Sequence, residues 1–151
     1  MQGPYVVITS AYNHRTICKL KITRQGAEKI WEAKYPSGVC SPVIHKGHIY
    51  LAWRTIRCLD FNTGEQLWSG ENIGTPGSCI VTADDRLIVW GQSGDLYLAE
   101  TAARSPDKFK LLAQKNQVLS DAAWPHVVLA RGGLYCKDRE GNLLCFQLDK
   151  R

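Results

Sequence analysis

The sequence predicts an all-β chain built from four successive small antiparallel sheets. Short apolar runs follow one another every ~8–12 residues, separated by Gly- and Asn-rich turns. No segment holds a 3.6-residue apolar period over three turns, so no helix is expected. The nearest helix candidate, Leu98 to Arg104, is short and runs into Ser105-Pro106. One grammar of strand, turn, strand, Gly turn, strand also returns about every 40 residues.

The copies can be followed along the chain. A partial first copy reads Tyr5-Val6-Val7-Ile8-Thr9, then Ile17-Cys18-Lys19-Leu20, then Glu28-Lys29-Ile30-Trp31. The second reads Ser41-Pro42-Val43-Ile44, Gly47-His48-Ile49-Tyr50-Leu51 and Ile56-Arg57-Cys58-Leu59, and closes on a strand carrying Trp68. The third reads Ser78-Cys79-Ile80-Val81, Asp85-Arg86-Leu87-Ile88-Val89 and Gly94-Asp95-Leu96-Tyr97-Leu98. The fourth reads Pro125-His126-Val127-Val128, Gly133-Leu134-Tyr135-Cys136 and Gly141-Asn142-Leu143-Leu144-Cys145-Phe146. Trp31 and Trp68 are 37 residues apart, Ile49 and Leu87 38, and Leu87 and Leu134 47. The polar insertion Thr101 to Lys108 accounts for the longer interval. A period near 40 with three or four strands per unit is the spacing of propeller blades. The expectation is a partial β-propeller in one domain spanning 1–151, with blade repeats over 5–34, 40–71, 76–115 and 122–149. About three, four, four and three strands are expected in them.

The segment Asp60-Phe61-Asn62-Thr63-Gly64-Glu65-Gln66-Leu67-Trp68 is the most specific. Gly64 supplies the positive φ that a tight turn needs, while Asp60, Asn62 and Thr63 can hydrogen-bond the turn backbone. Trp68 brings an apolar body to bury and an N–H to satisfy. Asp-x-x-Thr-Gly-Glu-x-x-Trp resembles the repeat signature of the quinoprotein (pyrroloquinoline-quinone-like) β-propellers. Residues 77–96 and 124–143 resemble further blades, so the likeness runs over roughly residues 5–148, in the manner of the C-terminal half of such a propeller. The resemblance implies rigid rings of about six to eight blades. That family includes an outer-membrane assembly lipoprotein, alcohol dehydrogenases and many members without demonstrated activity. Pyrroloquinoline quinone and Ca2+ enter as cofactors only by that resemblance. The chain departs from the pattern at Trp53-Arg54-Thr55, where a Gly or Asn turn is usual. It departs again in the third blade, which lacks the Thr-Gly-Glu-x-x-Trp ending.

Four such blades make an open arc with two unpaired sheet edges, which soluble proteins avoid. A longer chain, a complementary half-propeller or a second copy would complete it. The favoured expectation is a homodimer, closed head to tail by two-fold symmetry into a ring of about eight blades. The edge Tyr5-Val6-Val7-Ile8 is expected to be association-prone, with Val7→Lys blocking it.

Trp31 and Trp68, with Asp60, Thr63 and Gly64, are expected to dock blade on blade, because packing residues repeat and ligand contacts need not. Trp124, Trp53, Arg54, His14 and Arg15 are candidates for rim or channel contacts with a protein partner. Trp124 is expected at the channel mouth. Asp60 and Asp138 read as turn residues rather than as metal or base carboxylates. His45-x-x-His48 spans a turn that is expected to keep the two rings apart, and no metal site is assigned. No nucleophile elbow, Walker loop or dinucleotide fingerprint appears. The chain is therefore expected to be a non-enzymatic module for protein–protein interaction or scaffolding.

Composition agrees with an ordinary globular chain, at 44% hydrophobic and 22% charged residues with mean hydropathy −0.24. No apolar run approaches a membrane span, so no membrane insertion is expected. Met1-Gln2-Gly3-Pro4 carries no visible secretion signal, and the compartment is left open. The net charge of +5 comes from scattered cations, so no nucleic-acid surface is expected. Of six cysteines, Cys18, Cys58, Cys136 and Cys145 lie in apolar strand patterns and read as buried free thiols.

Overall fold

The computed structural model describes residues 3–148. Asp149, at the end of the last expected repeat, and the Lys150-Arg151 tail lie outside the described residues. Every regular element described is a strand. The first sheet holds β1 (Tyr5–Ser10), β2 (Thr16–Thr23) and β3 (Gly26–Ala33). The second holds β4 (Val43–His45), β5 (His48–Asp60) and β6 (Gln66–Gly74). The third holds β7 (Ser78–Val81), β8 (Arg86–Trp90), β9 (Leu96–Glu100) and β10 (Leu111–Lys115). The fourth holds β11 (Val128–Ala130), β12 (Gly133–Lys137) and β13 (Leu143–Gln147). Neighbours in each sheet are antiparallel and consecutive in the chain, which makes each sheet a meander.

β5 is one unbroken extended run, yet it makes two ribs of its sheet. Drawn straight, Gly47 to Phe61 would span about 45 Å. Instead the Phe61 N–H donates to the Gly47 carbonyl at 2.9 Å. The run reverses at Trp53-Arg54-Thr55, where Arg54 sits at φ 62°. Its first half pairs with β4 through Ile44–Ile49 and Val43–Tyr50. Its second half pairs with β6 through Arg57–Ser69 and Cys58–Trp68. β6 runs on past the reversal to pair Gly74 with Arg54, which keeps the turn residues in the sheet's hydrogen bonding. The four sheets thus carry three, four, four and three ribs.

The sheets stack face to face with a core in each of the three gaps. Tyr5, Val7, Ile17 and Trp31 meet Ile49, Leu51, Leu59 and Phe61 in the first gap. Tyr50, Ala52, Ile56, Cys58 and Trp68 meet Leu87, Val89, Tyr97 and Ala99 in the second. Ile88 and Trp90 meet Ala123, Val127, Leu134 and Cys136 in the third. Strand alternation explains the split: on β8, Leu87 and Val89 point one way and Ile88 and Trp90 the other. The two inner sheets are covered on both faces, which is why Leu87-Ile88-Val89-Trp90 is an unbroken apolar run. Fully burying one such side chain stabilises by about 2–3 kcal/mol.

Two expectations need correction. Val7 packs into the first core, so Val7→Lys would attack the fold rather than a free edge. Its neighbour Ile8 faces outward instead. Cys145 is exposed and Cys18 half-buried, because both lie on outer faces of end sheets. The segment from Leu98, short of a helical period, lies in strand β9 and the turn after it, with Ala99 buried against the second sheet.

Meander topology sorts the loops onto two rims. The loop after β1, the reversal within β5, the loop after β8 and the loop after β12 share one rim, together with the links between sheets. The turns after β4, β7 and β11 share the other with the turn after Asp60 and the Thr101–Lys108 insertion. Asn13-His14-Arg15, Trp53-Arg54-Thr55 and Trp124 therefore lie on one rim, and Ala102 to Lys108 on the opposite one.

Candidate functional site

The turn after β5 builds the joint between the first two sheets. The Asp60 carboxylate accepts from the Asn62 and Thr63 N–H groups at 2.7 and 2.8 Å. Burial alone would raise its pKa, but these N–H donors outweigh that and hold it below the usual carboxylate value. Gly64, at φ +76°, lies under the Trp31 ring, where a Cβ would come within 2.7 Å of ring carbon. The Trp31 Nε1–H donates to the Phe61 carbonyl at 3.1 Å. Lys19 is buried beside it: its Nζ donates to the same carbonyl at 3.2 Å and sits 3.9 Å from the Phe61 ring centroid and 4.4 Å from that of Tyr5. Burial lowers the Lys19 pKa, partly offset by the Asp60 charge.

Trp68 occupies the matching place at the second gap, tilted against Tyr50 at 6.0 Å and Phe109 at 5.7 Å. Its indole N–H is buried without a partner. The third sheet has the Thr101–Lys108 insertion where the second has its Asp60–Gly64 turn, and it offers Trp68 no carbonyl. Here the Ala102 N–H of the third sheet instead donates to the Tyr50 hydroxyl at 2.9 Å. Across the third gap, the Trp90 Nε1–H donates to the Lys137 carbonyl at 3.2 Å.

Two hairpin tips converge on the first rim. A cleft of about 310 Å3 is lined by Ala11, Arg15, Lys34, Tyr35, Pro36, Trp53, Arg54 and Arg57. Its four cations have no carboxylate within ion-pair distance among the described residues, and no acid lines the cleft. Arg57 is pinned: it donates to the Trp53 carbonyl at 3.3 Å and to Gln66 Oε1 at 3.2 Å, and lies 5.9 Å from the Tyr35 ring centroid. Trp53 is held by Gly38, whose missing Cβ leaves room for the ring; a Cβ there would sit 2.3 Å from it. Arg15 and Arg54 both adopt left-handed φ, 52° and 62°, at the hairpin tips. Sequence spacing had singled out Trp53, Arg54 and Arg15, but not Lys34, Tyr35, Pro36 or Arg57. Lys34-Tyr35-Pro36 is one stretch after β3 and Arg57 lies in β5, and no local pattern links these to Arg15 and Trp53.

The other rim candidates go elsewhere. His14 turns away from the cleft into a groove with Ile8, Cys18, Lys29 and Glu32 on the outer face of the first sheet. Trp124 is 49% exposed, carries Arg139 at 5.9 Å from its ring centroid, and lines no part of the basic cleft. His45 and His48 turn out to be direct cross-strand partners, since the two-residue Lys46-Gly47 turn sets them opposite each other. They do not act together: His45 Nε2 is 2.7 Å from Asp85 Oδ1, whereas the His48 ring leans on Tyr50. Asp138 is committed to Asn142, which donates to it from both backbone and side chain at 2.9 and 2.8 Å. Among the described residues, no three His, Cys, Asp or Glu side chains gather as a metal-binding group.

The outer faces of the end sheets are apolar and open. On the first sheet, Val6, Cys18, Leu20 and the more exposed Ile8 (48%) and Ile22 (47%) share one face. Lys29 and Glu32 at its margin neutralise each other at 2.6 Å. On the fourth sheet, Val128, Tyr135 and Cys145 form a cross-strand row beside Leu143, which is 64% exposed.

No protein family profile and no curated protein matches the chain. Solved structures do. BamB from Moraxella catarrhalis superposes with a TM-score of 0.75 at 15% identity, over 97% of this chain and 44% of BamB. The computationally designed Ika4 protein gives 0.72 at 11%, over 99% of this chain and 88% of Ika4. The designed Ika8 protein gives 0.70 at 11%, over 98% and 44%. The fold is a β-propeller arc. At these identities the likeness carries the fold alone, and the chain spans less than half the length of BamB.

Proposed function

We propose that this chain is a non-enzymatic propeller module that works by binding proteins, and that it pairs with a second copy of itself to close a ring. One observation carries the reading: the two inner sheets bury both faces, whereas each end sheet leaves a patch of apolar side chains in water on its outer face. A two-fold axis along the arc's own axis sets the first-sheet face of one copy on the fourth-sheet face of the other, and does so twice. Apolar faces of this kind are protein-binding surfaces. The same arc makes up 44% of BamB and Ika8 but 88% of Ika4, so it occurs both as part of a longer chain and as most of a short one.

The Asp-x-x-Thr-Gly-Glu-x-x-Trp turn supports kinship with quinoprotein-like repeats. Its residues serve the joint between sheets: Asp60 caps the turn and Gly64 seats Trp31. Asp60 Oδ1 and both oxygens of Asp138 are already bonded within their own turns, which argues against a calcium-dependent oxidoreductase.

The 44% span on BamB favours a second reading, in which the remainder of a longer chain covers the end faces. Cross-linking separates the two. Cys18 lies on one end face and Cys145 on the other, and the remaining four thiols are buried. A short bis-maleimide applied to the 151-residue chain should give a dimer whose mapped link joins Cys18 to Cys145. A monomer with two singly modified thiols would overturn the paired ring.

A further inference from the structure

We infer that the basic cleft between the first and second sheets is the docking site for an acidic peptide segment of a partner protein. This rests on the protein-binding reading and gives that partner a chemistry.

Four cations, Arg15, Lys34, Arg54 and Arg57, face one cleft with no carboxylate lining it. Like charges gathered in this way repel, so the cluster weakens the fold until an anion enters. Other cations among the described residues sit beside carboxylates, Lys46 by Asp85, Arg86 and Lys110 by Glu100 and Arg139 by Asp121, or stand unpaired on the surface. What marks the cleft is that four unpaired cations line it together with no acid among its lining residues. Two of its arginines also occupy left-handed backbone at hairpin tips, where glycine would sit at less cost.

The cleft is shaped as well as charged. Trp53 stands against Gly38 as a fixed wall, and Arg57 is oriented by the Trp53 carbonyl, Gln66 and the Tyr35 ring. A guanidinium held in place binds a carboxylate with little entropy left to lose. Arg15, Arg54 and Lys34 surround it as exposed side chains. Carboxylates spaced along an extended peptide can reach several of these cations at once, with an apolar side chain laid on Trp53. At about 310 Å3 the cleft accepts two or three side chains rather than a folded surface.

The test is fluorescence anisotropy of a fluorescein-labelled hexaglutamate peptide with the full chain, at low and physiological salt. Saturable binding that weakens with salt is expected. Arg54→Glu should lower affinity at least tenfold, and Arg57→Ala at least fivefold. Lys108→Glu makes the same charge change as Arg54→Glu on the opposite rim and should change affinity less than twofold. Equal loss from Arg54→Glu and Lys108→Glu would show only general electrostatic attraction and overturn the site. So would absence of binding, or displacement of the peptide by inorganic phosphate at equal charge concentration. Because the peptide is scored apart from the chain's mass, a monomer that binds it would sink the ring and spare the cleft.

Discussion

The Trp31 indole N–H reaches the Phe61 carbonyl across the first gap at 3.1 Å, whereas the corresponding N–H of Trp68 reaches nothing. Two indoles with the same place in the repeat thus differ in one hydrogen bond. Trp31→Phe should cost about 0.5–1.5 kcal/mol more than the lost area alone, the net worth of one hydrogen bond, since Lys19 Nζ still donates to that carbonyl. Trp68→Phe should cost only its change in volume, because the N–H it deletes was already unpaired. Urea unfolding followed by circular dichroism measures both. Equal losses would contradict the assignment.

Gly64 and Gly47 separate backbone conformation from packing. Both take positive φ, +76° and +77°, but only Gly64 lies under a ring. Gly47→Ala should cost about 1 kcal/mol for the backbone conformation alone. Gly64→Ala adds a collision with Trp31 and should cost about 2 kcal/mol beyond that. A Gly64→Ala protein no less stable than Gly47→Ala would mean that the ring does not rest on the turn.

Stability should fall on the alkaline side. Burial pushes the Cys58 thiol up to about 12 and the Cys136 thiol up to about 11, from an ordinary 9.0, and raises Cys40 as well. The folded state then holds protons that the unfolded state releases. This contribution is fully present below pH 9.0 and is lost as pH rises from 9.0 through about 11 and 12. Cys58→Ala together with Cys136→Ala should flatten the decline between pH 9 and 11 in denaturant titrations. An unchanged slope would count against buried neutral thiols.

The paired ring makes a complementation prediction. Ile8→Lys spoils one end face and Leu143→Lys the other, so each variant alone should sediment as a monomer. Mixed, they recover one undamaged contact, from the fourth-sheet face of Ile8→Lys to the first-sheet face of Leu143→Lys. The mixture should therefore form heterodimers. A mixture that stays monomeric would point to a contact between like faces.

Much of the fold is legible because turn chemistry is local. Lys46-Gly47, Thr63-Gly64 and Arg131-Gly132 each force a reversal that a reader can place from neighbouring residues alone. The reversal at Trp53-Arg54-Thr55 is also legible as a departure from the usual Gly or Asn. That the same tip meets Arg15, Lys34 and Arg57 is not, since which loops share a rim depends on how sheets stack. Val7 and Ile8 make the same point at smaller scale. An edge reading takes them as one apolar run, and only the alternation about a known core tells which faces inward. The orphaned Trp68 N–H was hidden because its missing partner depends on an insertion some thirty residues away in the next sheet.

The absolute mass of the purified chain by light scattering, taken across a concentration series, bears most directly on the arc and its closure. The account predicts twice 16.9 kDa, with no growth to larger species because the ring has no free face left. A particle of 16.9 kDa at every concentration, stable and folded, would show that the open faces need no second copy.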